Sequence, residues 1–394
     1  MKPQPAEQTT LNHPTNIRGN VFFLGLVSLF NDIASEMVYP IVPLFLTGVL
    51  GAPVSVVGII EGIAEATASV LKAFSGWLSD RLRRRKWFVV AGYSFSTLSR
   101  IGLALSTRWL HVLAARFVDR FGKGTRTSAR DALIADSTDA TQRGAAFGFH
   151  RAMDTVGAII GPLLAILFLK LLHEQYSLFF WLAAIPSAIG VLILVAFVRE
   201  PVRRSTVVQA LPKFSLSQFN RPFKLFLAVN VIFALGNSSD AFLILRARDS
   251  GFSVIGTVML YVLFNIVYAL FAFPLGKLAD RWGAKPVLLL SFLMFSVIYA
   301  GVGVASGPFL WGWFALYGVF MAMSEGIGKA YISVLVPAAL RATALGIFYA
   351  VTGIVMFFAS VIAGALWELV GSGAPFFYGA GLSLLAGILF WRMD

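Results

Sequence analysis

Two short stretches hold the densest runs of residues able to do chemistry. In SLFNDIASEMVYPIVP, residues 28–43, Ser28, Asp32 and Glu36 recur every four residues and share one helical face. In RFVDRFGKGTRTSARD, residues 116–131, Arg116, Asp119, Arg120, Lys123, Arg126 and Arg130 fall within about 120° of arc at 100° per residue. Glu61, Glu65 and Lys72 make a third stripe. His150, Arg151, Asp154, Asn237, Asp240, Glu325, Lys329 and Glu368 also stand in apolar surroundings. The chemistry on offer is ionic: capture of a charged solute and exchange of protons. A carboxylate beside an arginine stays ionised until its partner moves away or a solute competes, and it then accepts a proton. The plainer reading is static, with Asp32, Glu36, Glu61 and Glu65 neutralising Arg116, Arg120 and Lys123 to hold helices together. Covalent chemistry has no visible basis. The chain has no cysteine, its histidines (His13, His111, His150, His173) lack metal-ligand spacing, and no phosphate-cradling loop or nucleophile–base arrangement is present. An enzyme, a metal and a cofactor are not expected.

Charges placed this way need elements that shield them. The 394 residues are 58% hydrophobic and 13% charged, with a mean hydropathy of +0.80. Soluble domains average about 25% charged residues. Twelve apolar stretches lie near 20–46, 55–79, 86–106, 109–131, 143–171, 175–198, 223–246, 253–278, 286–305, 309–331, 341–370 and 374–392. About 20 helical residues cross a hydrocarbon core of ~30 Å. The expected fold is therefore all-α and polytopic, with twelve transmembrane helices. An ionised group at the bilayer centre costs about 2.5–3.5 kcal/mol. The charged stripes must then face a water-filled cavity or other helices.

Loop charges orient the spans. One side receives the Arg81–Lys86 cluster, Arg143, residues 199–224, Lys277, Arg281, Lys285, Arg341 and Arg392, and the other has few cations. The positive-inside rule puts the basic side and both termini in the cytoplasm, in a bacterial-type inner membrane. Most of the net charge of +13 is thereby an orientation signal, and nucleic-acid binding is not expected. Residues 1–18 lack the apolar core of a signal peptide, so the first span is expected to be retained.

The longest polar connection, 199–222, divides the chain into bundles at 1–198 and 223–394. The halves repeat: SVVG at 55–58 matches SVIG at 253–256, GWLSDR at 76–81 matches GKLADR at 276–281, and RGAAFG at 143–148 matches RATALG at 341–346. Two six-span repeats of one orientation predict a solute site between them near mid-bilayer.

On these residues the chain resembles the major facilitator superfamily over essentially its whole length. Gly76, Asp80, Arg81, Arg84 and Arg85 match that family's G-x-x-x-D-R-x-G-R-R loop signature, with Arg83 in place of its glycine. Gly276, Asp280, Arg281 and Gly283 match the same signature in the second half. The resemblance implies that both loops act as conformational latches. Gly157, Gly161 and Pro162 in GAIIGPLLA are similar to the fifth-span signature of proton-antiporting exporters, with Ala165 replacing its last glycine. As helix chemistry, those glycines share a face and permit close packing. Arg116 matches the fourth-span arginine associated with proton coupling.

The expectation is a secondary active transporter, moving its solute by alternating access and coupled to protons. Its solute is a small amphipathic or anionic organic molecule, with export by antiport ahead of uptake of an anion such as a carboxylate-rich metal chelate; lipid translocation by the same fold is a further alternative. Asp32, Glu36, Glu65, Arg116, Asp119, Arg120, Lys123, Asp154, Asn237 and Asp240 are the expected solute and proton residues. Arg116 and Arg120 would grip the anion, and the second bundle, with Phe233, Phe264, Trp311, Trp313, Phe348 and Tyr349, would form an apolar wall. The partners are lipid, solute and protons, and a monomer suffices.

Overall fold

A computed structural model describes residues 15–82, 84–138, 142–200, 216–337 and 340–393, without the side chains of 15–18, 73, 76–82 and 342. Their regular structure is helical throughout. The first half contains α1 (Thr15–Val38), α2 (Val42–Gly48), α3 (Val54–Leu82), α4 (Arg85–Ala104), α5 (Trp109–Asp136), α6 (Arg143–Leu171) and α7 (Tyr176–Phe197). The second contains α8 (Arg221–Gly236), α9 (Ala241–Asp249), α10 (Val254–Trp282), α11 (Ala284–Val304), α12 (Phe309–Leu335), α13 (Arg341–Leu369) and α14 (Ala374–Trp391). These make twelve spans, because α1–α2 and α8–α9 are each one span broken in two. Among the described residues, nine of the spans are long and apolar enough on their own to cross a membrane. The charge-bearing α4, α5 and α12 are the others, and they rely on neighbours to shield them.

The two breaks occupy equivalent places in the halves. Pro40 and Pro43 interrupt the first span, since proline lacks the N–H a helix interior needs. The seventh was expected to be continuous. Instead α8 stops at Gly236, and Asn237, Ser238 and Ser239 follow as non-helical chain. These side chains compete for backbone hydrogen bonds. Gly236 also lies so close to Gly379 of α14 that a Cβ on either would collide with the other's backbone. Other boundaries follow local chemistry. Ser253 caps α10 by accepting from the Gly256 N–H at 3.1 Å. Gly283, with φ +88°, turns the chain from α10 into α11 where the loop signature asks for glycine.

Three apolar cores show how the halves meet. One, around Ile33, Met37, Phe45, Phe242, Phe264 and Phe314, takes residues from both halves. It lies toward the face formed by the 105–108, 250–253 and 305–308 loops. Toward the terminal face, where α1 begins and α14 ends, each half has a core of its own. Leu24, Val89, Tyr93 and Leu133 form one, and Phe223, Phe226, Phe292 and Phe390 the other. The bundles therefore share one apolar core at the far face and have separate cores toward the terminal face. Helices α3 and α13 join them through glycines: a Cβ on Gly58 would lie 2.2 Å from the Ser360 carbonyl oxygen, and one on Gly353 would lie 2.3 Å from Ser69 Cβ.

The basic knot after α3 has structural work besides orientation. The Arg85 guanidinium turns inward to the Ala132 carbonyl at 2.9 Å and pairs with Asp136. The Glu200 carboxylate accepts from the Arg85 and Lys86 N–H groups at 3.0 and 2.7 Å, capping α4. Gly76, Asp80 and Arg81 lie outside the residues whose side chains are described, and Arg83 outside the described residues altogether. In the second loop Asp280 and Arg281 are exposed.

Candidate functional site

Between the bundles lies a cavity of about 590 Å³. It narrows toward the joint core and widens toward the terminal face. Arg100, Arg116 and Arg120 are 3%, 4% and 7% exposed at its inner end, while the side chains of Glu325 and Lys329 at its mouth are 42% and 48% exposed.

Helix α5 supplies the charged wall. Its register puts Arg116, Asp119, Arg120, Lys123, Arg126 and Arg130 on the lining, as the 120° stripe requires. Close packing presses α5 into place: a Cβ on Gly122 would lie 2.4 Å from the Gly92 carbonyl oxygen of α4, and one on Gly124 would lie 2.6 Å from Leu71 Cβ of α3. The deepest pair is Arg116 with Glu61, joined by Nε to Oε1 at 3.0 Å and by Nη2 to Oε1 and Oε2 at 2.7 and 2.6 Å. Their side chains are only 5% and 2% exposed. One turn along, Arg120 Nη2 meets Glu65 Oε1 at 3.3 Å.

Helix α1 supplies the acidic wall, held there by α6. A Cβ on Gly157 would lie 2.9 Å from Asp32 Cβ, and one on Gly161 would lie 2.6 Å from the Ile33 carbonyl oxygen and 2.8 Å from Glu36 Cβ. The G-x-x-x-G-P stretch is thus the surface on which Asp32 and Glu36 are mounted, with Pro162 buried beside it. Glu36 accepts from the Tyr261 hydroxyl of the other bundle at 2.7 Å, and Asp32 accepts from Asn31 Nδ2 at 3.3 Å. Nearer the mouth, Ser28 donates to Asp154 at 2.5 Å, and His150 Nδ1 stands 3.5 Å from the same carboxyl.

The second bundle differs from the apolar wall expected of it. Its lining residues include Asp240, Tyr261, Asn265, Tyr268, Glu325, Lys329 and Tyr349. Phe264 packs in the joint core, Phe233, Trp311 and Trp313 pack against it, and Phe348 packs against the core of the second bundle. The reason is geometric: α10 turns Tyr261 and Tyr268 toward the gap, while Phe264 between them packs edge-on against the buried Tyr317 ring of α12. Tyr317 donates to Asp240 at 2.6 Å, and Tyr268 donates to Glu325 at 2.7 Å while accepting from Arg151 of the first bundle at 3.1 Å.

Nine of the ten solute and proton residues expected from sequence therefore line one cavity: Asp32, Glu36, Glu65, Arg116, Asp119, Arg120, Lys123, Asp154 and Asp240. Asn237 does not. Its backbone N–H closes the end of α8. Sequence reasoning passed over Arg100 of α4, although a lone arginine within an apolar span is itself a signal. It also passed over Tyr261 and Tyr268, for which no signal existed, since tyrosine is equally common in helix cores. Among the described residues no group of histidine and carboxylate side chains could hold a metal ion.

Comparison with known proteins gives a consistent result. The family model described as Major Facilitator Superfamily matches residues 24–261 and 225–394. An uncharacterized MFS-type transporter of Methanocaldococcus jannaschii is 38% identical, with 98% of both chains covered. A probable 4-methylmuconolactone transporter of Cupriavidus pinatubonensis is 27% identical, over 73% of this chain and 70% of that one. Among solved structures, the nucleoside transporter NupG superposes with a TM-score of 0.79 at 17% identity, covering 95% of this chain and 98% of the other.

Proposed function

Because this chain belongs to the Major Facilitator Superfamily and is a membrane transporter rather than an enzyme, we propose that it is a proton-coupled secondary transporter of a small amphipathic or anionic organic solute. The carrying observation is the cavity: ionic residues from both bundles line one space that is closed at the far face and widens at the terminal face. Rocking of the bundles, 1–198 against 223–394 about the connection 199–222, would close the terminal face and part the joint core. The excess of loop cations makes the terminal face cytoplasmic in an inner or plasma membrane. A monomer contains every group the cycle uses.

Cross-bundle contacts supply the coupling. The Tyr261–Glu36 and Arg151–Tyr268 bonds join the bundles in this arrangement. When the bundles separate there, Glu36 loses its phenol donor and becomes free to take a proton. Export by antiport leads on the α6 signature, although in this fold that segment packs α6 on α1. Proton-driven uptake is the second reading, favoured by the cations along α5. The named solute of the Cupriavidus relative supports a small organic molecule as cargo.

Purified protein in liposomes, assayed for solute-dependent proton movement across a panel of organic acids, tests the proposal. Wild type should acidify or alkalinise the lumen with one class of solute, and Asp32→Asn or Arg116→Ala variants, confirmed folded, should lose that response. Unchanged flux and pH dependence in both variants would sink the assignment.

A further inference from the structure

We infer that the cavity holds an oxyanion subsite between Arg100 and Arg126, with Lys123 beside it, and that the transported class is carboxylate-bearing organic acids. The inference rests on the transport reading above and names the grip on the solute. Arg116 and Arg120 cannot serve as that grip without cost, because Glu61 and Glu65 already occupy them.

Arg100 and Arg126 are held differently. Both meet Ser96 of α4: Arg100 Nη1 donates to its carbonyl oxygen at 2.7 Å, and Arg126 Nη1 donates to its hydroxyl at 2.6 Å. Arg100 also donates to Ser187 Oγ at 3.0 Å, Ser35 Oγ at 2.7 Å and the Asn31 carbonyl at 3.3 Å. Arg126 stacks over the Tyr93 ring at 4.5 Å and reaches the Gly92 carbonyl at 3.4 Å. Each of these partners is neutral. Among the described residues, no carboxylate lies within 4.0 Å of the charged nitrogens of Arg100, Arg126 or Lys123.

Two adjacent guanidiniums are thus buried to 3% and 5% exposure with no paired counter-charge, and Arg100 Nε has no partner at all. Both residues line the cavity. Asp119 and Asp32 face the same space from beyond ion-pairing distance. Like charges held this close in a poorly solvated place call for an anion, and the planar fork of a guanidinium matches a carboxylate with two parallel bonds. The serine oxygens fix the side chains beforehand, so binding need not order them. Across the gap, the tyrosines and Asn265 offer ring faces and amide hydrogen bonds to the body of such an acid.

Benzoate is a suitable probe, with inorganic phosphate and benzylammonium as comparators at matched ionic strength. Thermal unfolding of the purified full chain should show saturable stabilisation by benzoate and none by benzylammonium. Arg126→Gln should weaken the benzoate midpoint by about tenfold or more, and Arg126→Lys, which keeps charge but loses the fork, by several-fold. Lys170→Gln, at the far end of α6, should leave it unchanged. If Arg126→Gln does not fold, the Arg126→Lys midpoint decides. Stabilisation by benzylammonium alone, or by phosphate alone, overturns the organic-acid subsite, as does a benzoate midpoint equal in wild type and Arg126→Lys. Counterflow of labelled benzoate in liposomes separates the two readings. Arginine-dependent binding without counterflow keeps the subsite and defeats transport of that class, whereas flux of another solute with no benzoate binding keeps transport and defeats the subsite.

Discussion

The two walls of the cavity solve the same problem with different chemistry. The first bundle places arginines against carboxylates, as in Arg116–Glu61 and Arg120–Glu65. The second places phenols against carboxylates, as in Tyr317–Asp240 and Tyr268–Glu325. An arginine pair holds its charges firmly, because removing either partner strands the other in a poorly solvated place. A phenol donates one hydrogen bond and carries no charge, so its carboxylate can change protonation with a smaller electrostatic penalty. The contrast divides the labour: carboxylates paired with arginines of the first bundle store fixed charge, and carboxylates held by phenols of the second, Glu36 among them, tolerate its change.

The largest expected effect comes from splitting the fixed pair. Glu61→Ala should destabilise the protein by about 3–5 kcal/mol by leaving Arg116 buried and alone. Thermal unfolding of a double-mutant cycle measures it, and Glu61→Ala with Arg116→Ala should cost less than the two single changes together. Additive losses would show that the pair is not a unit and would erase the contrast between the walls.

A smaller effect should follow on the phenolic side. Tyr317→Phe and Tyr261→Phe each remove a hydrogen bond to a carboxylate, for about 1.5–3 kcal/mol. Tyr317 bonds within its own bundle, so its loss should appear mainly in unfolding temperature. Tyr261 bonds across to Glu36, so its loss should also shift the pH profile of flux. Identical pH profiles for the two variants would remove the coupling role given to the cross-bundle bond. The smallest effect belongs to the mouth, where Lys329→Gln breaks a 3.8 Å pair between half-exposed groups and should cost under about 1 kcal/mol. A large loss there, read by the same melts, would mean that the mouth is much drier than its exposure implies.

The ionic half of the site was legible because a bilayer makes every charge conspicuous. The stripe on α5 could be placed on one face by spacing alone, and the close contacts at Gly157 and Gly161 follow from their shared face. The phenolic half was not legible. Phe264 and Tyr261 are three residues apart on α10, and nothing in their order tells which turns to the gap and which to the core. Asn237 misled for a related reason: a polar run inside an apolar span reads as side-chain chemistry, whereas here it ends a helix. The pairing of Arg116 and Arg120 was open to either reading, and only the geometry shows that Arg100 and Arg126 are buried beside the cavity without a carboxylate partner.

The glycines along α3 and α13 carry a consequence of their own. Where Gly58 meets Ser360 of α13, and Gly364 meets Ser55 of α3, the backbones touch with no side chain between them. The barrier at the far face is therefore made by subtraction. Even one methyl added there would wedge the lobes apart, and such a variant would leak solute outward while its binding groups remained intact.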